Sequence, residues 1–300
     1  MSLTQARVSR GDSPVRKTTM QTLQEKKRLQ QPITAITAYD YPTARLADEA
    51  GIDLILVGDS VAMAVLGHDD TLSLTVDEML HHARAVRRGV QQAFLTVDMP
   101  YGSCHVNSDD TVRHALRFIK EAGADAVKIE GGRKRAPLIE QLAMAEILVV
   151  GHIGLMPQSV HRMGGYKVQG RSVVDMQELI DDALALEHAG AVAIVLEGIP
   201  RELAADITRA VGIPTIGIGA GPDCDGQILV FHDLFRLTFS PSAKFVRSFG
   251  DAEHLMRDGL ADYCAAVKDR TFPADGESYH LPAKTVAELA HEQEAEAVAR

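Results

Sequence analysis

Ala124-Asp-Ala-Val-Lys-Ile-Glu-Gly-Gly132 is the stretch from which the rest of the chain can be read. Its apolar residues Ala126, Val127 and Ile129 predict a short buried strand. Side chains alternate along a strand, so Lys128 and Glu130 leave it from one face. Two ionisable groups on a face of an apolar strand are costly to bury unless they pair or bind a ligand. Gly131-Gly132 turns the chain where Glu130 emerges. A salt bridge closing the end of a core and a catalytic site both account for this segment taken alone.

Working outward, strands of the same kind recur on both sides. Toward the N-terminus they are expected over 33–39, 53–57 and 93–97. Toward the C-terminus they are expected over 147–151, 191–196, 213–218 and 227–231. Helical patterns with Pro, Thr or Asp starts and Gly stops fall between them, over 42–50, 75–89, 109–122, 137–145, 175–189 and 200–211, with a closing helix over 251–269. A short charged helix is expected over 18–30. Eight strand–helix units in about 250 residues, with no linker, predict a single (β/α)₈ TIM-type barrel of the α/β class. An open doubly wound sheet is the alternative, but no Gly-rich dinucleotide fingerprint follows the first strand. The expected organisation is a disordered leader over 1–17, a catalytic barrel over 18–282, and a tail over 283–300 that is helical or disordered.

Composition bounds the function. The chain has 300 residues, 46% hydrophobic and 24% charged, as in a soluble globular protein with a sizeable core. Its net charge of −10 argues against nucleic acid as the main partner, since phosphate binding needs a concentrated basic face. Cys104, Cys224 and Cys264 are far apart and form no CxxC pair, which suits a reducing compartment and gives no metal-site spacing. No apolar run approaches the ~18 residues of a membrane helix. The N-terminus lacks the apolar core of a secretory signal, although Arg7, Arg10, Arg16 and Lys17 among Ser and Thr faintly resemble an organellar presequence.

Active sites of such barrels gather at the C-terminal ends of the strands. The polar residues expected there are Asp59, Asp98, Glu130, His152 and Glu197, after strands two to six in turn. Carboxylates converging on one mouth repel each other if dry and unpaired, and Lys128 offsets one charge only. An all-oxygen set suits Mg²⁺, a hard ion that keeps several waters and leaves positions for a chelating substrate. Each residue alone has a plainer reading: Asp59 or Asp98 can cap the following turn, Glu197 can pair with Arg201, and His152 can be a hydrogen-bonded structural histidine. The coincidence on successive strand ends favours the metal site. Ile216-Gly-Ile-Gly-Ala-Gly221 sits where barrels frequently hold phosphate, though glycine is needed there for a tight turn in any case. The basic loop Gly164-Gly-Tyr-Lys-Val-Gln-Gly-Arg171 reads as a lid, a rim for an anionic ligand, or an oligomer contact.

Taken together, Thr37-Ala-Tyr-Asp-Tyr41, Val57-Gly-Asp-Ser60, Val127-Lys-Ile-Glu-Gly-Gly132, Gly151-His-Ile-Gly-Leu155, Pro157-Gln-Ser159, 164–171, 216–221 and Asp225-Gly-Gln227 resemble the ketopantoate hydroxymethyltransferase family, in the family's order, over roughly 18–282. The resemblance implies an enzyme of pantothenate and coenzyme A biosynthesis. It would transfer a hydroxymethyl group from 5,10-methylenetetrahydrofolate to 3-methyl-2-oxobutanoate through a Mg²⁺-stabilised enolate, giving 2-dehydropantoate. It further implies one Mg²⁺ per subunit on Asp59, Asp98 and Glu130. Substrate contacts would fall on Ser60, Asp98 and Lys128, with Glu197 as proton acceptor, in a cytoplasmic homodecamer without nucleic-acid or membrane partners. His152 matches a residue of the family's pocket. Residues 235–246 match the family loosely, Asp70 is an extra acid near the mouth, and both termini extend beyond the family core. A Mg²⁺-dependent carbon–carbon lyase related to isocitrate lyase or phosphoenolpyruvate mutase is the rival reading, separated by its lack of need for folate. A catalytically silent barrel is the other, and would require a carboxylate or lysine missing from the mouth.

Overall fold

The computed structural model describes residues 17–299, and the side chains of the final helix only as far as residue 293. The expected leader therefore lies, apart from Lys17, outside the described residues. The chain divides into two units, one ending at Gly250 and the other beginning at Asp251.

In the first unit eight parallel strands close into a barrel in sequence order, each hydrogen-bonded to the next and the last to the first. They are β1 Ile33–Thr37, β2 Leu54–Val57, β3 Phe94–Asp98, β4 Ala126–Glu130, β5 Val149–Gly154, β6 Ala193–Glu197, β7 Thr215–Ile218 and β8 Gly226–Leu229. The helices, in chain order, are α1 Met20–Arg28, α2 Tyr41–Glu49, α3 Val61–Ala64, α4 Val76–Gly89, α5 Ser108–Ala122, α6 Ala136–Met144, α7 Val160–Met163, α8 Val173–His188, α9 Arg201–Ala210 and α10 Phe231–Leu234. Local chemistry sets their ends. Thr75 and Glu78 form a reciprocal capping box at the start of α4, as Ser172 and Asp175 do for α8. Asn107 caps α5, and Gly123 ends it in the left-handed region at φ 66°.

Two apolar layers hold this unit. The larger lies between barrel and helices, and includes Ile55, Val97, Val127, Ile129 and Ile194 on the strands with Met79, Phe118, Ile139, Leu186 and Leu203 on the helices. The smaller fills the barrel with Ile33, Leu54, Leu56, Phe94, Ala126, Val150, Val195, Ile216 and Ile228, together with Met20 and Leu23 of α1. The strands are thus buried on both faces, which is why they read as continuous apolar runs. Alternation survives on the inner face: Phe94–Thr96–Asp98, Ala126–Lys128–Glu130 and Ala193–Val195–Glu197 each run from apolar to polar along the strand.

At the N-terminal end of the barrel the charges are matched. Asp53, Asp125 and Asp225 each stand one residue before the first residue of β2, β4 or β8 and each pairs with a lysine near α1: Lys26, Lys17 and Lys27 in turn. Each carboxylate also accepts a backbone N–H from a neighbouring strand, from Thr34, Leu95 and Thr215 at 2.9, 2.9 and 2.8 Å. Asp48, at the end of α2, accepts three backbone N–H groups, from Gln91, Gln92 and Ala93, at 2.8–3.0 Å.

The second unit contains α11 Ala252–Lys268 and α12 Ala283–Ala299. The expected closing helix over 251–269 therefore forms, but it belongs to this second unit and none of its residues is buried. No described helix is long and apolar enough to cross a membrane.

Candidate active site at the barrel mouth

β3, β4 and β6 each end on a carboxylate, Asp98, Glu130 and Glu197, and Asp59 lies two residues beyond β2. β5 does not stop before His152 as the sequence suggests. It runs on to Gly154, because His152 and Gly154 still pair with Glu130 on β4 or Val195 and Glu197 on β6. His152 is therefore a strand residue pointing into a closed interior. Asp59, Asp98, Lys128, Glu130 and His152 are each at most 6% exposed.

Lys128 does not form a private bridge with its strand neighbour Glu130. Register sets it opposite Asp98, and its Nζ lies 3.0 Å from Asp98 Oδ1 and 3.2 Å from His152 Nδ1. Glu130 Oε1 is 3.5 Å from His152 Nδ1, and Glu197 Oε2 is 3.1 Å from His152 Nε2. Arg201, the partner suggested for Glu197, pairs with Asp223 instead. Asp98 Oδ2 accepts the backbone N–H of Asp59 at 2.9 Å. Ser60 Oγ meets the buried Tyr39 hydroxyl at 2.7 Å, and that hydroxyl accepts from Thr37 at 2.9 Å.

Gln158, legible in the sequence only as part of a motif, ties Asp59 to Glu130. Its Nε2 donates to Asp59 Oδ2 at 2.9 Å and to the Met99 carbonyl at 3.0 Å, while its backbone N–H donates to Glu130 Oε2 at 3.0 Å. Its position just after Pro157, in a one-turn 3₁₀ helix beyond β5, was the available signal.

The charges at this end do not balance. Burial, with Asp98 and Glu130 close by, pushes the Asp59 carboxyl up to about 8. Burial likewise raises Asp98, against the opposing pull of Lys128. Burial would raise Glu130, but contact with His152, the charge of Lys128 and the Gln158 N–H outweigh it and hold the carboxyl low. Burial would lower Lys128, but Asp98, Glu130 and Asp59 keep it firmly charged. His152 is pushed up to about 9: burial and Lys128 oppose its charge, and Glu130 with Glu197 overcome them. If Lys128 donates to Nδ1 the imidazole is neutral with its proton on Nε2, and if His152 is protonated Nε2 carries a proton as well. Glu197 thus faces an N–H in either state.

Asp98 Oδ1, Glu130 Oε1 and His152 Nε2 are buried without an aligned hydrogen bond among the described residues. Carboxylate oxygens with acceptor capacity to spare, on three acids buried close together, fit a hard cation that takes oxygen donors. As placed, however, no group of three or more His, Cys, Asp or Glu among the described residues encloses a metal ion. Gln158 spans the space beside Asp59 and Lys128 occupies Asp98. Any ion here would keep part of its water shell, as Mg²⁺ does.

Gly154 shows how tightly this end is built. It takes φ 97°, and a Cβ there would meet the Glu197 carbonyl oxygen at 2.2 Å. The loop 164–171 carries Tyr166, whose hydroxyl reaches Met63 Sδ at 3.9 Å. Burial, then the charges of Asp70 and Asp59, raise the Tyr166 phenol.

A family model described as ketopantoate hydroxymethyltransferase matches residues 17–275. A 3-methyl-2-oxobutanoate hydroxymethyltransferase of Koribacter versatilis (strain Ellin345) is 62% identical over 273 residues, covering 91% of this chain and 92% of the relative. One of Geobacter sulfurreducens is 51% identical over 257 residues, covering 86% and 96%. Among solved structures, a phosphonopyruvate hydrolase in complex with oxalate and Mg²⁺ superposes with a TM-score of 0.56 at 17% identity, covering 94% of this chain and 98% of that one. A 2,3-dimethylmalate lyase of the PEP mutase/isocitrate lyase superfamily superposes with 0.54 at 17% identity, covering 94% and 99%. At that identity the solved structures establish the barrel fold alone.

Proposed function

This chain belongs to the ketopantoate hydroxymethyltransferase family and is an enzyme, a hydroxymethyltransferase; on that premise we propose that it converts 3-methyl-2-oxobutanoate, 5,10-methylenetetrahydrofolate and water to 2-dehydropantoate and tetrahydrofolate. The C3–H bond of the oxo acid breaks, a C–C bond to the one-carbon unit forms, and water supplies the hydroxyl oxygen. The product would feed pantothenate and coenzyme A synthesis in the cytoplasm. The observation that carries the reading is a carboxylate at the end of β6, Glu197, joined through His152 to Lys128 and Glu130 at a mouth that also buries Asp59 and Asp98.

The residues divide by role. Glu197 is the least buried of the mouth carboxylates, its side chain 16% exposed, and is the base that takes the C3 proton. His152 Nε2–H orients it. Lys128, held charged by its neighbours, binds the negative carboxylate of the oxo acid, helped by the Ser60 hydroxyl, and Asp98 would contact the substrate by way of the ion it helps to hold. Asp59, Asp98 and Glu130 would hold one Mg²⁺ per subunit, with Gln158 fixing Asp59 Oδ2 and Glu130 Oε2. When bound, that ion would polarise the substrate carbonyl and make the C3 proton more acidic. Closure by loop 164–171 would exclude water from the mouth.

Self-association, expected as a decamer, has support from α11. Leu255, Met256, Leu260, Tyr263 and Val267 recur at helical spacing along it and are 44–74% exposed. The lyase reading has support only from neighbours that share the barrel. One assay separates the two: purified protein with Mg²⁺ and 3-methyl-2-oxobutanoate should form 2-dehydropantoate only when 5,10-methylenetetrahydrofolate is present. Cleavage of the oxo acid without folate would transfer the support to the lyase.

A further inference from the structure

Beside the mouth lies a cavity of about 670 Å³ between the turns that follow β4 and β5 and the first half of α8. That is within the roughly 300–1,000 Å³ typical of a site for a drug-sized ligand. Its wall includes Glu130 and Gly154, and Gly154 is the register partner of Glu197. A molecule lying in it therefore has one end at the strand ends where the oxo acid would lose its C3 proton. Besides the carboxylates of Asp175, Glu178 and Asp182, of which Asp182 is held by Arg133 and Asp175 by the capping box of α8, the wall has two chemistries. Met156, Met163 and Leu179 give it an apolar, adaptable face. Lys134 and Arg162 bring exposed cations to it, and neither has an ion-pair partner among the described residues. Arg133, by contrast, is engaged by Asp182 at 2.9 Å.

We propose that this cavity is the site of the one-carbon donor, with the flat ring system of the reduced folate against Met156, Met163 and Leu179 and the carboxylates of its glutamyl tail on Lys134 and Arg162. The inference rests on the function proposed above and adds where the second substrate binds. Glu130 and Gly154 at the inner wall bring the inner end of the donor to the ends of β4 and β5, one strand away from Glu197, while the two cations lie on segments outside the barrel, where an extended tail would emerge.

The test is a binding measurement supported by kinetics. Tetrahydrofolate is titrated into the full-length protein and into a Lys134→Ala/Arg162→Ala variant by calorimetry. Loss of two charged contacts should weaken binding about 10-fold or more. The apparent KM for 5,10-methylenetetrahydrofolate should rise by the same factor, and the KM for the oxo acid should stay within two-fold. A tail-less probe, 6-methyltetrahydropterin, should bind both proteins alike, a result that general damage to the site would not give. A Lys134→Arg variant should retain binding. Equal tetrahydrofolate affinity in wild type and double variant would overturn the site while leaving the reaction intact. A wild-type protein that binds no tetrahydrofolate would overturn the reaction and the site together.

Discussion

The two ends of this barrel use the same residue types to opposite effect. At the N-terminal end three aspartates meet three lysines, and each aspartate also takes a backbone N–H from a neighbouring strand. At the C-terminal end Asp59, Asp98, Glu130 and Glu197 face one lysine and one histidine, and carboxylate oxygens of Asp98 and Glu130 lack an aligned hydrogen bond. Balanced charge closes a core, whereas unbalanced charge costs folding free energy and leaves a site ready for what restores the balance. The contrast separates a structural end from a reactive one without appeal to any relative.

Substitutions at the two ends should therefore separate stability from activity. The largest loss of stability is expected from Leu23→Ala, which removes the buried side chain with which α1 fills the N-terminal end. A cavity of that kind costs about 2–5 kcal/mol. Denaturant unfolding should show it, with turnover per folded molecule unchanged. Loss of activity with full stability would mean that the two ends are not independent.

Asp59→Asn should have the opposite sign. Asparagine keeps an acceptor for Gln158 and removes the cost of holding a buried carboxyl protonated above its ordinary pKa, a change worth about 1–4 kcal/mol of added stability near neutral pH in metal-free protein. Activity should fall with it. The pH dependence fixes the direction. The Asp59 carboxyl titrates at about 8 when folded, above its ordinary value of 3.8, so the folded state binds this proton more tightly than the unfolded chain. Stability from that proton is complete below about pH 4 and is lost as pH rises through 8. In EDTA, thermal scans from pH 6 to 9 should show wild type losing stability relative to Asp59→Asn. Parallel curves would show that the mouth is not charge-strained.

Lys27→Ala is expected to have the smallest effect of the three. Asp225 keeps its bonds from Thr215 N and Oγ1 at 2.8 and 3.0 Å when the lysine is gone. The loss should be about 1–3 kcal/mol, and kinetic constants should not move. A change in oxo-acid KM would contradict the division between the ends.

The barrel was legible in the sequence because both-faces-buried strands and helix stop signals recur without interruption. The mouth was legible because carboxylates stand at the ends of successive strands, where inner-face positions turn polar. Pairing was not. Whether Lys128 meets Glu130 or Asp98 depends on the register between β3 and β4, and no local pattern encodes it. His152 looked like the residue after a strand because Gly151 resembles a stop, yet glycine is tolerated within β5 up to Gly154. The lysine–aspartate set at the N-terminal end escaped notice because its partners lie from 27 to 198 residues apart. An aspartate recurring just before β2, β4 and β8 was the signal present. The helix at 252–268 was expected to close the barrel, but it has an apolar face spaced as for a core and buries none of it here, a property that periodicity cannot distinguish from true burial.

The central claim is that the C-terminal end removes the C3 proton of a 2-oxo acid through Glu197. Proton NMR of 3-methyl-2-oxobutanoate in deuterated water, with Mg²⁺ and without folate, reads that step alone. Wild type should exchange the C3 proton, and Glu197→Gln should slow the exchange about 10²- to 10⁴-fold at an unchanged thermal midpoint. Exchange at the wild-type rate in a folded Glu197→Gln protein would contradict the account.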